Sequence, residues 1–476
     1  MNANYIAGEW MGANGSVENI NPSDCSDMIG EYAQASTEQT SIAVHAASQA
    51  LGAWRETGPQ ARADMLERIG AELAARREEL GTLLSREEGK TLAEGIGEVA
   101  RAAAIFKFYA GEVFRIRGER MDSVRPGLAV EVTREPVGVI GIITPWNFPM
   151  AIPAWKIAPA LAYGNCVIFK PAELVPGSAW ALAEIISRAG LPAGVFNLVM
   201  GKGSVVGQAM LENPDVAAIS FTGSEKVGRH VIATATARMA KVQVEMGGKN
   251  PLVVLDDAEL DAAVDCALQG AFHSTGQRCT ASSRLIVERG IHSRFVSRLV
   301  QRTQALRVGH ALHAQTQIGP VVDASQLGQD LAYIQIGKDA GARLLCGGER
   351  LPLRHDGFYL QPALFADVVP EMRIAREEIF GPVACVLVAD SYEHALALAN
   401  DTPYGLSSGI CTQSLKHATD FKRRAQAGMV MVNTPTAGVD YHVPFGGRKG
   451  SSYGSREQGS HAAEFFTTVK TSYTAS

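Results

Sequence analysis

The sequence predicts an α/β protein of two domains, each built on a mostly parallel sheet. Three observations predict this. The chain has 476 residues, too many for one hydrophobic core. From Val137 onward, short apolar runs of strand length alternate with helical segments. At Pro251 a second series of the same kind begins.

The elements follow in order. After a short extended start, residues 38–55, 60–88 and 90–117 are rich in Ala, Glu and Arg, with apolar positions at helical spacing. A polar, β-leaning stretch occupies about 120–135 and ends in Arg134-Glu135-Pro136. The first alternating series reads VGVIGIIT, CVIFK, a helix at 177–189, VFNLVM, VAAISFT and KVQVEM, with helices between the remaining strands. The second reads PLVVL, a helix at 259–275, RLIVE, then helices at 291–306 and 324–340, and continues to about 445. The tail, 458–476, reads as a short helix and then a strand, EFFTTV. An apolar strand at a sheet edge tends to find a partner, so this tail and the 120–135 stretch are expected to pair as a small third element, in contact with another subunit.

Composition narrows the classes of function. The formal net charge is -5, which gives no sign of a nucleic-acid partner. No apolar run approaches the roughly 18 residues of a membrane span, so no membrane partner is expected. The seven Cys stand singly, at 25, 166, 266, 279, 346, 385 and 411. An odd number without a CxxC pair argues against a disulfide framework and against a metal site of paired Cys. The first residues lack a basic region followed by an apolar one, and the expected location is a reducing cytoplasm.

Cys279 stands out among the cysteines. It lies in GQRCT, in a loop between a helix and a strand, whereas Cys166, Cys266, Cys346, Cys385 and Cys411 sit in apolar patterns and read as core. Arg278 beside it would favour a thiolate if it faces the sulfur, or else points into solvent. Glu245 ends the strand of VQVEMGGKNP. Ligands of open α/β sheets gather at carboxyl ends of strands, and a desolvated Glu there has the chemistry of a general base. The competing reading is a Glu that bridges a turn. Asn147 lies between Pro145 and Pro149, which restrict the loop, and a fixed amide is a good donor to an oxyanion. No GxGxxG follows a strand, and Gly89-Lys90-Thr91 lacks the earlier glycine of a phosphate-binding loop. Gly223-Ser224, between a strand and a helix, offers a helix start for a phosphate.

The motifs GIITPWNFP, FKPAE, FTGSEKVGR, VEMGGKNP, GQRCT, EEIFGP and PFGGRKGSSYG stand in the order and approximate spacing of the aldehyde dehydrogenase superfamily, which the chain resembles over nearly its whole length. The resemblance implies two Rossmann-like three-layer α/β domains and a small β oligomerisation arm. It divides the chain into an NAD(P)-binding domain of 1–118 and 137–247, a catalytic domain of 248–447, and an arm of 119–136 and 455–476. It implies a homodimer or homotetramer. By that resemblance Cys279 is the nucleophile, Asn147 an oxyanion donor, and Glu245 the base that activates water against a thioester. Thr144, Trp146, Lys170, Glu173, Gly223, Ser224, Gly228, Glu378 and Phe380 match positions along the cofactor cleft. No metal is implied. Glu173 on ribose hydroxyls favours NAD, while Lys170 leaves NADP open. Glu225, where the family has a small or hydroxyl residue, is expected to face solvent.

Longer stretches, such as AIPAWKIAPALAYGN and NTPTAGVDYHVPFGGRKGSSYG, resemble bacterial α-ketoglutaric semialdehyde (2,5-dioxopentanoate) dehydrogenases. Trp155 stands where succinic semialdehyde dehydrogenases carry an Arg. The expected reaction is oxidation of α-ketoglutaric semialdehyde to 2-oxoglutarate. The alternative is a broad short-chain or ω-semialdehyde dehydrogenase. A substrate carboxylate needs a cationic or hydroxyl-rich anchor, for which Arg278 and Arg284 are the candidates nearest the nucleophile in sequence.

Overall fold

The computed structural model describes residues 1–475. Two large sheets organise them. The first has eight strands, and its centre is the first alternating series: Lys241–Glu245, Val216–Thr222, Val139–Ile143, Cys166–Lys170 and Phe196–Leu198 lie side by side and parallel. All five are almost wholly buried, as a sheet covered on both faces demands. The second sheet has seven strands, in the order Arg343–Cys346, Ala363–Ala366, Val383–Ala389, Arg284–Glu288, Pro251–Val254, Ser407–Cys411 and Met429–Val432. Only its first pair is antiparallel.

The amino-terminal region departs from the expected short extended start. Strands Asn4–Ile6, Glu9–Met11, Gly15–Asn21 and Asp24–Gln34 fill it before the first helix. The first two extend the edge of the first sheet in antiparallel fashion, and the last two form a hairpin. Helices then follow as the periodicity predicts. Thr37–Glu56 and Leu92–Glu112 each begin in a capping box, Ser36 with Gln39 and Thr91 with Glu94.

The 120–135 stretch and the tail do pair. Leu128–Pro136 lies antiparallel to Thr467–Ala475, with Glu119–Asp122 on its other side. The tail strand starts later than expected. Glu464, Phe465 and Phe466 belong to the helix Ala463–Phe466, whose two Phe rings are buried in the core of the first sheet. Val469 and Tyr473 on the strand beyond are more than half exposed. No helix among the described residues is long and apolar enough to cross a membrane.

Candidate active site

Helix Leu260–Phe272 runs into the turn His273–Gly276, where the backbone is strained. Ser274 and Thr275 have φ of 51° and 56°, a left-handed conformation that costs an L-residue roughly 1–2 kcal/mol. Glu94 offsets that cost. One carboxylate oxygen accepts from the Ser274 N–H at 2.8 Å and its hydroxyl at 2.9 Å, while the other accepts from Thr91. Gly276 follows at φ 67°, and a Cβ there would lie 2.2 Å from the Gly381 carbonyl. Beyond the turn, the Asn250 amide donates to the Cys279 carbonyl at 2.7 Å and to the Ala281 carbonyl at 3.0 Å. Cys279 is therefore held from both sides along the chain.

Asn147 is buried opposite this loop, and its Nδ2 donates to the Gln277 carbonyl at 2.9 Å. Its own carbonyl accepts from Lys90 Nζ at 2.7 Å. Lys90 is itself buried, 2.6 Å from Glu98 Oε2 and 3.9 Å over the Phe148 ring. The second Glu98 oxygen accepts from the Met150 and Ala151 N–H groups at the start of helix Ala151–Ala162. One ion pair thus fixes both the Asn147 loop and the helix that follows. Lys90 belongs to the fragment that lacks a phosphate loop's glycine, and its role is structural.

Glu245 is buried at the end of its strand, where Ser452 Oγ donates to it at 2.5 Å. Burial and the neighbouring Glu457 raise its pKa well above the usual carboxylate range, against opposing pulls from Ser452, Lys156 and Arg456. Glu457 is ion-paired to the buried Lys156. Burial pushes the Cys279 thiol up to about 12, and the charges of Glu378 and Glu245 add to the shift. The expectation that Arg278 favours a thiolate is thus corrected: desolvation and facing carboxylates dominate. Arg278 does not point into solvent either. It is half-buried, with Nε enclosed and Nη2 donating to the Gln269 carbonyl. The five cysteines read as core are all buried.

The residues matched to a cofactor cleft line the carboxyl ends of the first sheet. Thr144 follows Val139–Ile143, and its buried hydroxyl has no partner; the same holds for Thr222, just before Gly223. Ser224 begins helix Glu225–Ala237, yet its side chain caps none of the helix N–H groups. These free donors are what a polyphosphate ligand uses. A Cβ at Gly228 would lie 2.5 Å from Met246 Sδ, so this glycine lets the helix close on the strand end beside Glu245. Lys170 is buried, with its pKa lowered to about 8 by desolvation, and donates to the Pro171 carbonyl. Glu173 is exposed and accepts from the Gly203 N–H at 3.2 Å. Across the cleft, Glu378 accepts from the Gly248 N–H at 2.9 Å, its pKa raised to about 7 by burial. A Cβ at Gly247 would meet Glu378 Oε2 at 1.9 Å, so a side chain there would displace the Glu378 carboxylate from this position. Trp146 and Phe380 stand edge to face at 5.4 Å. Glu225 does not face solvent freely as expected. It is half-buried, accepts from Tyr404 Oη at 3.0 Å and pairs with Arg229, which satisfies the carboxylate away from the helix start. These residues fit a dinucleotide.

A cavity of about 270 Å³ opens onto Cys279. Phe148, Ile152, Trp155 and Phe445 give it apolar walls, and Arg101 and Arg278 bring charge. Arg284 is not among its lining residues. That candidate anchor is buried at the start of strand Arg284–Glu288, where Nη1 donates to the Asp401 carbonyl at 3.1 Å. Sequence reasoning missed Arg101, Asn250, Lys90, Glu94 and Glu98. Three of these carried a signal: 94, 98 and 101 recur at helical spacing along one face of helix Leu92–Glu112.

The aldehyde dehydrogenase family model matches residues 10–472. The chain is 46% identical over 472 residues to an α-ketoglutaric semialdehyde dehydrogenase of Bacillus subtilis, covering 98% of this chain and 97% of that one. It is 39% identical over 472 residues to a 2,5-dioxopentanoate dehydrogenase of Saccharolobus solfataricus, covering 98% of each. Among solved structures, a Staphylococcus aureus betaine aldehyde dehydrogenase in complex with NAD+ superposes with a TM-score of 0.97 at 32% identity, covering 100% of this chain and 95% of that one. With this match along almost its full length, and with Cys279 and the buried Glu245 in place, the chain belongs to the aldehyde dehydrogenase family.

Proposed function

We propose that this enzyme oxidises α-ketoglutaric semialdehyde to 2-oxoglutarate with NAD, through a covalent intermediate on Cys279. The observation that carries the reading is the cavity at Cys279, apolar along its walls and lined by two arginines, which suits an aldehyde with a short carbon chain and a far carboxylate. The names of the relatives point the same way.

At rest the Cys279 thiol is neutral, because burial and nearby carboxylates oppose the thiolate. Attack on the aldehyde carbon therefore requires a base to take the thiol proton as the C–S bond forms. Glu245 suits that task, since a carboxylate with a raised pKa is a stronger base than an exposed one. The Asn147 amide, turned from the Gln277 carbonyl to the substrate oxygen, stabilises the resulting thiohemiacetal oxyanion; one such donor is typically worth roughly 2.7–4 kcal/mol in the transition state. NAD, when bound, supplies the hydride acceptor. Once Glu245 has released the thiol proton to solvent, it accepts a proton from the water that hydrolyses the thioester, and the carboxylic acid departs as the Cys279 sulfur leaves and regains a proton. Thr144, Gly223, Ser224, Gly228 and Lys170 would hold the cofactor's phosphates and adenosine end, with Glu173 at the ribose. Glu378, Phe380 and Trp146 would hold its nicotinamide end. Lys170 beside Glu173 leaves a 2′-phosphate a partner, so NADP is a second substrate to test.

The exposed Val469 and Tyr473 on the outer strand support assembly of two or four copies through the arm. Seven unpaired cysteines suit a reducing cytoplasm.

The test is NADH and NADPH formation, without coenzyme A, from α-ketoglutaric semialdehyde, succinic semialdehyde, pentanal and benzaldehyde. A clear kcat/KM advantage for the first supports the reading. A flat profile or a preference for the uncharged aldehydes overturns the substrate assignment.

A further inference from the structure

Helix Leu92–Glu112 turns one face to the cavity, with Glu94, Gly97, Glu98 and Arg101 at successive helical spacings. The charged groups on this face are not equivalent. Glu98 is bonded to Lys90, and Glu94 ties down the strained turn before Cys279. Arg101 has no such assignment. Nη2 donates to a neutral amide, Gln458 Oε1, at 3.2 Å, and its buried Nε has no partner. The guanidinium lies 5.7 Å from the Trp155 ring, which steadies its plane without neutralising its charge. Arg278 also lines the cavity, with an unpartnered Nε and its charge facing Glu94. The carboxylates of Glu98 and Asp440 face the Arg101 charge without forming an ion pair with it, and both guanidiniums lie close enough to Cys279 for their charges and the sulfur's to interact.

Resting on the substrate reading above, we propose that Arg101 is the specificity-determining residue that receives the substrate's far carboxylate, with Arg278 as the second donor. A partly buried guanidinium with unused donors binds a carboxylate more strongly than any neutral group in this cavity does. Phe148, Ile152 and Phe445 suit the methylenes between the two ends. The Arg101–Trp155 contact also explains how a chain with Trp at position 155 still presents a cation to its substrate: the ring carries the arginine of the neighbouring helix.

The experiment compares kcat/KM for α-ketoglutaric semialdehyde with kcat/KM for pentanal, an uncharged aldehyde of equal chain length. It uses wild type, Arg101→Met and Arg101→Lys. The proposal predicts that Arg101→Met lowers the ratio roughly tenfold to a hundredfold, mainly through KM for the charged aldehyde. Arg101→Lys should restore part of the ratio. An unchanged ratio in both variants overturns Arg101 as the anchor while leaving the substrate reading standing. So does a loss equal for both aldehydes, which would mark a structural role. A wild type without preference for the charged aldehyde overturns the substrate reading, and the anchor with it.

Discussion

The two parallel sheets meet the active-site cleft by opposite ends. The first presents its carboxyl ends: Thr144 follows Val139–Ile143, Lys170 closes Cys166–Lys170, Gly223 follows Val216–Thr222 and Glu245 closes Lys241–Glu245. The second presents its amino ends: Asn250 precedes Pro251–Val254, Cys279 lies five residues before Arg284–Glu288, and Phe380 precedes Val383–Ala389. The finish differs too. The first sheet leaves the hydroxyls of Thr144 and Thr222 without partners. On the second, Asn250 and Glu94 hold the backbone on both sides of Cys279. A binding edge works through donors kept free for the ligand, whereas a nucleophile works through a fixed position.

The largest effect that would break this division is at the nucleophile. Cys279→Ala should lower NADH formation by roughly 10⁴-fold or more, while titration of protein fluorescence with NAD shows binding retained. Loss of both together would mean that the two edges are not separable. Next comes Glu245→Gln, expected to slow steady-state turnover by roughly 10²–10⁴-fold. It also carries a pH signature. Because its pKa is raised, Glu245 stays protonated to higher pH than an ordinary carboxyl, so the wild-type rate should climb with pH through that raised pKa. The variant's pH–rate profile should lack this limb.

Stability separates the scaffold from the chemistry. Lys90→Met leaves Glu98 buried and unpaired, and should cost about 3–5 kcal/mol in denaturant unfolding. A loss within experimental error would show that the Asn147 loop does not depend on this pair. The smallest effect is expected on the binding edge: Thr144→Val should weaken NAD roughly twofold to tenfold, measured by the same fluorescence titration, with little change in stability, since the hydroxyl has no protein partner to lose.

The contrast also explains what the sequence made legible. Glu245 and Ser224 were readable because carboxyl ends of parallel strands and helix starts are marked by local pattern. Cys279 was readable as a cysteine outside the apolar runs, and its chemistry came with the family motifs. Asn250, two residues after Gly248, looked like part of a turn. Its partners lie on the Cys279 loop and at Ser407, far along the chain, so no local pattern announces it. Arg284 failed as an anchor for the same reason. Nearness in sequence to Cys279 placed it at the start of a buried strand, where it donates to the Asp401 carbonyl outside the lining of the cavity. The amino-terminal strands were missed because Glu9–Met11 has only three residues and Gly15–Asn21 is largely polar, and they are held by pairing rather than by their own periodicity.

The account turns on a covalent intermediate at Cys279 that Glu245 helps to hydrolyse. The most direct measurement is to mix Glu245→Gln enzyme with NAD and α-ketoglutaric semialdehyde, quench in acid and identify adducts by peptide mass spectrometry. Glutamine at 245 slows hydrolysis of the thioester more than attack by the thiol, so the account predicts about one equivalent of NADH, formed more slowly than in wild type, and an acyl group on the peptide that contains Cys279. Absence of any adduct despite that NADH, or an adduct on another cysteine, would contradict it.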